Sequence, residues 1–271
     1  MTETPQLRAL GATLGTEALG IDLSKPLDAP AFAWIKAAFA EHPVLVFRNQ
    51  DLGAPELAAF GRLFGMPRPH ALTKYRHVDC PEVSWLTNVE ETGQIDWYGV
   101  KRATDWHTDS TFEDALPLLA MLHAKEVPAE KGGTMFADMR AAYDALPEAR
   151  KQLLSGLTGL HGRSSGPGGE RLYGDEKGVT DKTYQEVQWP AVTRHPVTGR
   201  PILFVNPMHV HGFEGMAREA AWQLIEELAA QVARHFGELG KEGVDGQLGR
   251  RAVLFFQVAG EADLHAVTSC V

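Results

Sequence analysis

Cysteine is nearly absent. Only Cys80 and Cys270 occur, so no disulfide framework is expected and a reducing cytoplasm is the expected setting. No apolar run approaches the ~18 residues that a membrane-spanning helix needs. The opening Met1-Thr2-Glu3-Thr4-Pro5 has neither the basic nor the apolar region of a secretory leader. Positive charge is also short: 26 Lys and Arg stand against 35 Asp and Glu, a net charge of -9. That balance, without a basic stripe, argues against nucleic acid as a partner, while local basic pockets for a small acid stay open. The Gly-rich stretch 164–182 lacks the Lys-Ser/Thr ending and strand-to-helix setting of a phosphate-binding loop and reads as an exposed insertion. Internal repeats and dividing linkers are missing too, so residues 1–271 are expected to fold as one domain around one large core.

What is present is a succession of short strands with a few helices. Pro26 and Asp28-Ala29-Pro30 open a helix with Phe32, Ile35, Ala38 and Phe39 at helical spacing. Pro43 to Phe47 is short and rich in β-branched residues, as in a buried strand, and Pro55 to Phe64 is a second amphipathic helix stopped by Gly65 and Pro67. From about 70 to 102 the periodicity is lost and polar and aromatic residues accumulate, the signature of a functional loop or lid. Further strands are expected at 83–88, 118–124, 189–192, 201–205 and 252–256, with helices at 139–146, 148–153 and 219–236. Many short strands with helices outside them predict a mainly β fold with peripheral α, as a sandwich or jelly roll.

The chemistry centres on Trp106-His107-Thr108-Asp109-Ser110. In an extended segment, side chains two apart share a face, so His107 and Asp109 can offer an imidazole and a carboxylate to one metal ion. With a distant second His they would make the 2-His-1-carboxylate triad of non-haem Fe(II) enzymes, which leaves metal positions open for substrates. In a chain with eleven His, a surface His beside an N-capping Asp is the competing reading.

Several ordered blocks sharpen that choice. They are the Gly11 to Pro26 stretch, His42-Pro43-Val44-Leu45-Val46-Phe47-Arg48, Phe60-Gly61-Arg62-Leu63-Phe64-Gly65, Trp106 to Phe112, Gly132 to Met139, and Asn206-Pro207-Met208-His209 with Glu214-Gly215-Met216. From about residue 7 to 232 this order resembles the TauD/TfdA family of Fe(II)- and 2-oxoglutarate-dependent dioxygenases, its phenoxyacetate-type branch more than the taurine type. The resemblance implies a double-stranded β-helix (jelly-roll) core, with Fe(II), 2-oxoglutarate and O2 as cofactor and cosubstrates. It also implies decarboxylation of 2-oxoglutarate to succinate, coupled to hydroxylation of a small organic acid, aryloxyalkanoate- or sulfonate-like. By the same resemblance His107 and Asp109 are metal ligands and catalytic, and Thr134 hydrogen-bonds 2-oxoglutarate. Asn88, Tyr98, Arg102, His209 and His211 are substrate-side candidates, with Trp97 and His70 nearby in the loop. A core Asn, a strand Thr and ordinary polar strand positions are the alternative readings of Asn88, Thr134 and the His209/His211 pair. Oligomers are common in such a family.

The tail, about 235–271, departs from the family pattern. The family's Trp-Asp-Asn-Arg segment before the distal His is missing, and only the apolar strand and Leu264-His265-Ala266-Val267 look familiar. His265 is therefore the expected third ligand, against a tail His that ligates nothing. No Arg follows it, so Arg251, which precedes the strand, is the candidate for the far carboxylate of 2-oxoglutarate. The departure keeps a second hypothesis open, a catalytically degenerate jelly-roll protein that binds a small acid. A zinc hydrolase is the weakest reading, because no Glu base stands near His107 in a zincin spacing.

Overall fold

Helix α1 (Ala29–Glu41) begins where the Asp28 carboxylate accepts from the Ala31 amide and Pro30 occupies the first turn, and it ends at His42, just before Pro43. A computed structural model of the chain describes residues 4–10, 14–70, 72–90, 92–97, 99, 106–126, 136–162, 186–237, 251–256 and 265–270. Beyond 232 it describes backbone alone. The strands are β1 (Gln6–Ala9), β2 (Thr16–Leu19), β3 (Val44–Arg48), β4 (Met66–Pro67), β5 (Val83–Trp85), β6 (Pro117–Ala124), β7 (Thr158–His161), β8 (Val187–Pro190), β9 (Val192–Arg194), β10 (Pro201–Leu203), β11 (Val210–Phe213), β12 (Arg251–Phe256) and β13 (His265–Cys270). The other helices are α2 (Ala54–Arg62), α3 (Met139–Asp144), α4 (Glu148–Ser155) and α5 (Arg218–Gly237), with a 3-10 turn at Thr73–Tyr75.

Eight strands form one large sheet in the order β1-β2-β3-β12-β6-β13-β4, with β5 also paired to β13. Strand β12 runs antiparallel between β3 and β6, while β13 runs parallel to β6, β4 and β5. The atypical tail thus supplies two inner strands of the main sheet, and the second of them, β13, has no periodic signal in the sequence. A smaller antiparallel sheet has the order β11-β7-β8, and β9 and β10 form a separate hairpin.

Each sheet carries its own helices. Ile35 and Phe39 of α1 and Leu57 and Phe60 of α2 bury themselves against Leu45, Phe47, Leu119 and Met121 of the large sheet. Each such fully buried side chain contributes about 1.5–3 kcal/mol. Ala221, Leu224, Ile225 and Leu228 of α5 pack with Ala142, Leu203, Val210 and Phe213 in a second cluster. Buried Arg140 joins the two halves: its guanidinium donates at 3.0 Å to the carbonyls of Ala40 and of Glu41 at the end of α1 and also pairs with Asp138. The fold is strand-rich with few helices, as expected. Among the described residues, no helix is long and apolar enough to cross a membrane.

Candidate metal and substrate site

The segment expected to be a strand around His107 is instead an extended stretch that turns at Asp109 and Ser110, between the loop and β6. Ser110 adopts φ 57°, a left-handed conformation that non-glycine residues seldom take, and its carbonyl accepts from the Glu113 amide at 3.0 Å. Two outside contacts fix this turn. Trp189 Nε1, from β8 of the small sheet, donates to the Thr111 carbonyl at 2.9 Å, and Glu113 pairs with Arg68, just beyond β4. The motif is therefore pinned from both sheets.

Within it, His107 Nε2 lies 3.1 Å from Asp109 Oδ1. The alternation argument reached the right neighbours although the segment is no strand, because an extended backbone suffices to put positions two apart side by side. Burial acts to raise the Asp109 carboxyl, but its bond to His107 and the charges of His107, His209 and His70 outweigh that and hold it below the usual carboxylate range. The carboxylate form is the one that binds a metal.

His209 arrives from the other sheet. The side-chain carbonyl of Asn206 accepts from the His209 amide at 2.9 Å and the Asn206 main-chain carbonyl accepts from Val210, a turn that delivers His209 just ahead of β11. Its buried ring meets His107 edge-on, 6.3 Å between centroids at 89°, and Phe112 at 4.8 Å. Behind it His161 is fully buried, stacked on Phe204 at 5.4 Å and 23°. Burial first, and then the His209 and His211 charges, lower His161 to about 3, so the ring is neutral at ordinary pH.

The other expected residues divide. His211 lies within β11, and its Nε2 stands 2.6 Å from a Glu186 carboxylate oxygen. Asn88 is exposed, with its carbonyl accepting from the Asp96 amide at 2.9 Å. Trp97 is exposed, whereas His70 is half-buried and close enough to influence Asp109. Tyr98, Arg102 and Thr134 lie outside the described residues. The backbone of His265 opens β13 in register with Pro117 on one side and Met66 on the other, eight residues beyond Asp109 along the chain of the first neighbour. Arg251 opens β12 in register with Ala124, at the opposite end of β6. Seven residues of strand separate those register positions, about 23 Å, so the structure does not bring Arg251 to His265.

Sequence reasoning missed Phe112, Thr111, Trp189 and His161. Phe112 and Thr111 lay inside a quoted block and were legible; Trp189 and His161 reach the site only through tertiary contacts between separate segments. The chemistry of the donors, a neutral imidazole and a carboxylate, suits Fe(II). Among the described side chains no group of three His, Cys, Asp or Glu could hold a metal ion.

The chain is similar to known proteins over most of its length. Residues 6–238 match the model of the Taurine catabolism dioxygenase TauD, TfdA family. An alkylsulfatase of Acinetobacter baylyi is 33% identical over 239 residues, covering 83% of this chain and 71% of that protein. An (S)-phenoxypropionate/alpha-ketoglutarate-dioxygenase of Delftia acidovorans is 30% identical, with 84% and 80% covered. A crystal structure of a taurine dioxygenase from Burkholderia xenovorans shares the fold with a TM-score of 0.71 at 24% identity, covering 94% of this chain and 80% of that one. With its His-x-Asp turn pinned between two sheets and most of its length matched, the chain belongs to the TauD/TfdA family of dioxygenases.

Proposed function

We propose that this protein is an Fe(II)- and 2-oxoglutarate-dependent dioxygenase that hydroxylates a small organic acid, aryloxyalkanoate- or sulfonate-like, in a single domain with a double-stranded β-helix (jelly-roll) core. The observation that carries the reading is the 3.1 Å approach of His107 Nε2 and Asp109 Oδ1 on a turn held by Trp189 and Arg68. His265 is the third ligand in this reading, and its register beside Pro117 supports that role. When bound, the metal with 2-oxoglutarate and O2 supplies the oxidant that takes hydrogen from a substrate C–H, and 2-oxoglutarate leaves as succinate and CO2.

The chain's own residues bind, orient and exclude water. Asp109, held as a carboxylate, anchors the metal, and His107 adds a nitrogen donor. Phe112 and the edge of His209 wall one side of that pair, so a substrate meets an apolar face with one polar tip. Thr134 is assigned to 2-oxoglutarate, and Asn88, Tyr98, Arg102 and His209 to the substrate side. Arg251 and His211 are left out of the set because of their placement. The names of the two relatives, an alkylsulfatase and a phenoxypropionate dioxygenase, describe substrates with an anionic head on an apolar body, which suits such a wall. Hydroxylation beside an ether or ester oxygen would break that bond. Two cysteines and a net charge of -9 fit a cytoplasmic protein that does not engage nucleic acid.

Oxygen uptake with Fe(II), 2-oxoglutarate and a panel of aryloxyalkanoates, alkyl sulfates and alkylsulfonates tests the reading. Uptake that requires both Fe(II) and 2-oxoglutarate, with succinate formed, supports it. Anaerobic Fe(II) binding without any visible absorption on adding 2-oxoglutarate, and no uptake, would replace it with the acid-binding alternative.

A further inference from the structure

The hairpin at 88–97 turns one described side chain, that of Asp96, into the protein. Its backbone is closed by bonds from the Asp96 amide to the Asn88 carbonyl at 2.9 Å and from the Glu90 amide to the Gln94 carbonyl at 2.8 Å, with an antiparallel bridge between Val89 and Ile95. Among its described residues Asp96 alone is buried, while Val89, Ile95 and Trp97 present apolar side chains to solvent. An acidic side chain turned inward from an apolar, exposed hairpin reverses the usual arrangement and calls for a partner. The partner is Tyr75, 4% exposed, whose hydroxyl donates to Asp96 Oδ2 at 2.5 Å. The base of the hairpin is tight as well: a Cβ on Gly99 would stand 1.9 Å from the Thr87 carbonyl oxygen.

Tyr75 also faces the metal side of the protein. The His70 ring meets the Tyr75 ring edge-on at 5.7 Å and 84°, and His70 Nδ1 accepts from the Leu72 amide at 3.0 Å. One aromatic side chain therefore touches the hairpin through its hydroxyl and His70 through its ring.

We infer that Tyr75 and Asp96 form a latch that fixes the 88–97 hairpin against the His70 side of the site, with Tyr75 a positioning residue that ties the hairpin's place to that of His70 and so sets how tightly an apolar-bodied acid is held. The inference about substrate rests on the proposed function; the latch itself does not. Undocking the hairpin leaves His107 and Asp109 in place.

The test uses Tyr75→Phe, which keeps the ring on His70 and removes the hydroxyl, beside Tyr75→Leu, which removes both. Hydrogen–deuterium exchange on the full chain is the first readout. Tyr75→Phe is expected to speed exchange at Glu90, Gly93 and Asp96 at least tenfold while Leu72 and the strand amides of β6 keep their wild-type rates. Tyr75→Leu is expected to speed Leu72 as well. Asp96→Ala, which also removes the Tyr75–Asp96 bond, should speed the same hairpin amides at least as much as Tyr75→Phe does. The second readout, with Fe(II), 2-oxoglutarate and the best substrate of the panel, is a rise of about tenfold in KM for Tyr75→Phe with kcat within twofold. Unchanged exchange in the hairpin overturns the latch, and faster exchange with unchanged KM overturns its service to the site. If wild-type protein turns over none of the panel, the fault lies with the proposed function, and the exchange experiment still decides the latch.

Discussion

The indole nitrogen of Trp189, on one sheet, donates to the main-chain carbonyl of Thr111, on the His-x-Asp turn before the other, at 2.9 Å. That single bond joins the small sheet to the turn that carries Asp109 two residues earlier. Groups that orient metal ligands from behind commonly change metal affinity by 10–100-fold when removed. Trp189→Phe keeps an aromatic ring against Leu116, Ile202 and Phe204 while deleting the donor. We expect Fe(II) affinity, measured by anaerobic titration, to fall by about tenfold, at a stability cost of about 1 kcal/mol. Affinity within twofold of wild type would mean that Ser110 and the Arg68–Glu113 pair suffice to hold the turn.

Asp109→Ala removes a proposed ligand rather than a support. Its effect on 2-oxoglutarate-dependent oxygen uptake should exceed that of Trp189→Phe, at about 100-fold or more, since the loss of a first-contact group outweighs that of its supports. Its side chain is only partly buried, so truncation opens no core cavity and the variant should still fold. A chelator should abolish uptake by wild-type protein, and Fe(II) should restore it to wild type but not to the variant. Full activity of Asp109→Ala would remove this residue from the site.

Arg140 stabilises a different junction. It is 3% exposed and answers two carbonyls that α1 leaves unpaired at its end, while neutralising Asp138 at the start of α3. Arg140→Met leaves both carbonyls and a half-buried carboxylate without that partner, an arrangement that costs about 3 kcal/mol. Lys can reach one of these groups but not all, so Arg140→Lys should fall between. Denaturant unfolding reads both; equal stability of Met and Arg variants would show that water replaces the guanidinium.

The fold was legible where burial imposes a period. Ile35, Ala38 and Phe39 of α1, Leu224, Ile225 and Leu228 of α5, and the unbroken apolar run of β3 each announce the face they bury. His107 and Asp109 were legible because their pairing is local. Strand β13 was not, because a strand paired between parallel neighbours needs no alternation, and His-Ala-Val-Thr-Ser-Cys offers no strong run. The Tyr75–Asp96 bond spans 21 residues without any periodic link, and the pairing of His211 with Glu186 depends on two segments meeting in space. Such contacts belong to tertiary structure and leave no mark in composition or spacing.

Buried imidazoles, His161 and His195 among them, give the protein a defined acid response. His161 is lowered to about 3 by burial and by His209 and His211, and His195 to about 4 by burial and the neighbouring Arg140 and Arg200, with Asp138 opposing. His195 Nδ1 accepts from the amides of Val197 and Thr198, which favours its neutral form. Both folded values lie below the unfolded value of about 6.5. The unfolded chain therefore binds protons that the folded chain refuses, and stability is fully present above about pH 6.5 and lost as pH falls. Each imidazole should contribute a slope of about 1.4 kcal/mol per pH unit, continuing to about pH 4 for His195 and about pH 3 for His161. Among the described residues neither His161 nitrogen has a hydrogen-bond partner, so His161→Phe sacrifices no bond and can keep the stack on Phe204. Urea unfolding at pH 7.5, 6 and 5 should find His161→Phe at least as stable as wild type at the highest pH and losing stability about 1.4 kcal/mol per unit more slowly below 6. If the two proteins lose stability in parallel, His161 is protonated in the folded state, and the burial of its ring behind His209 is not as described.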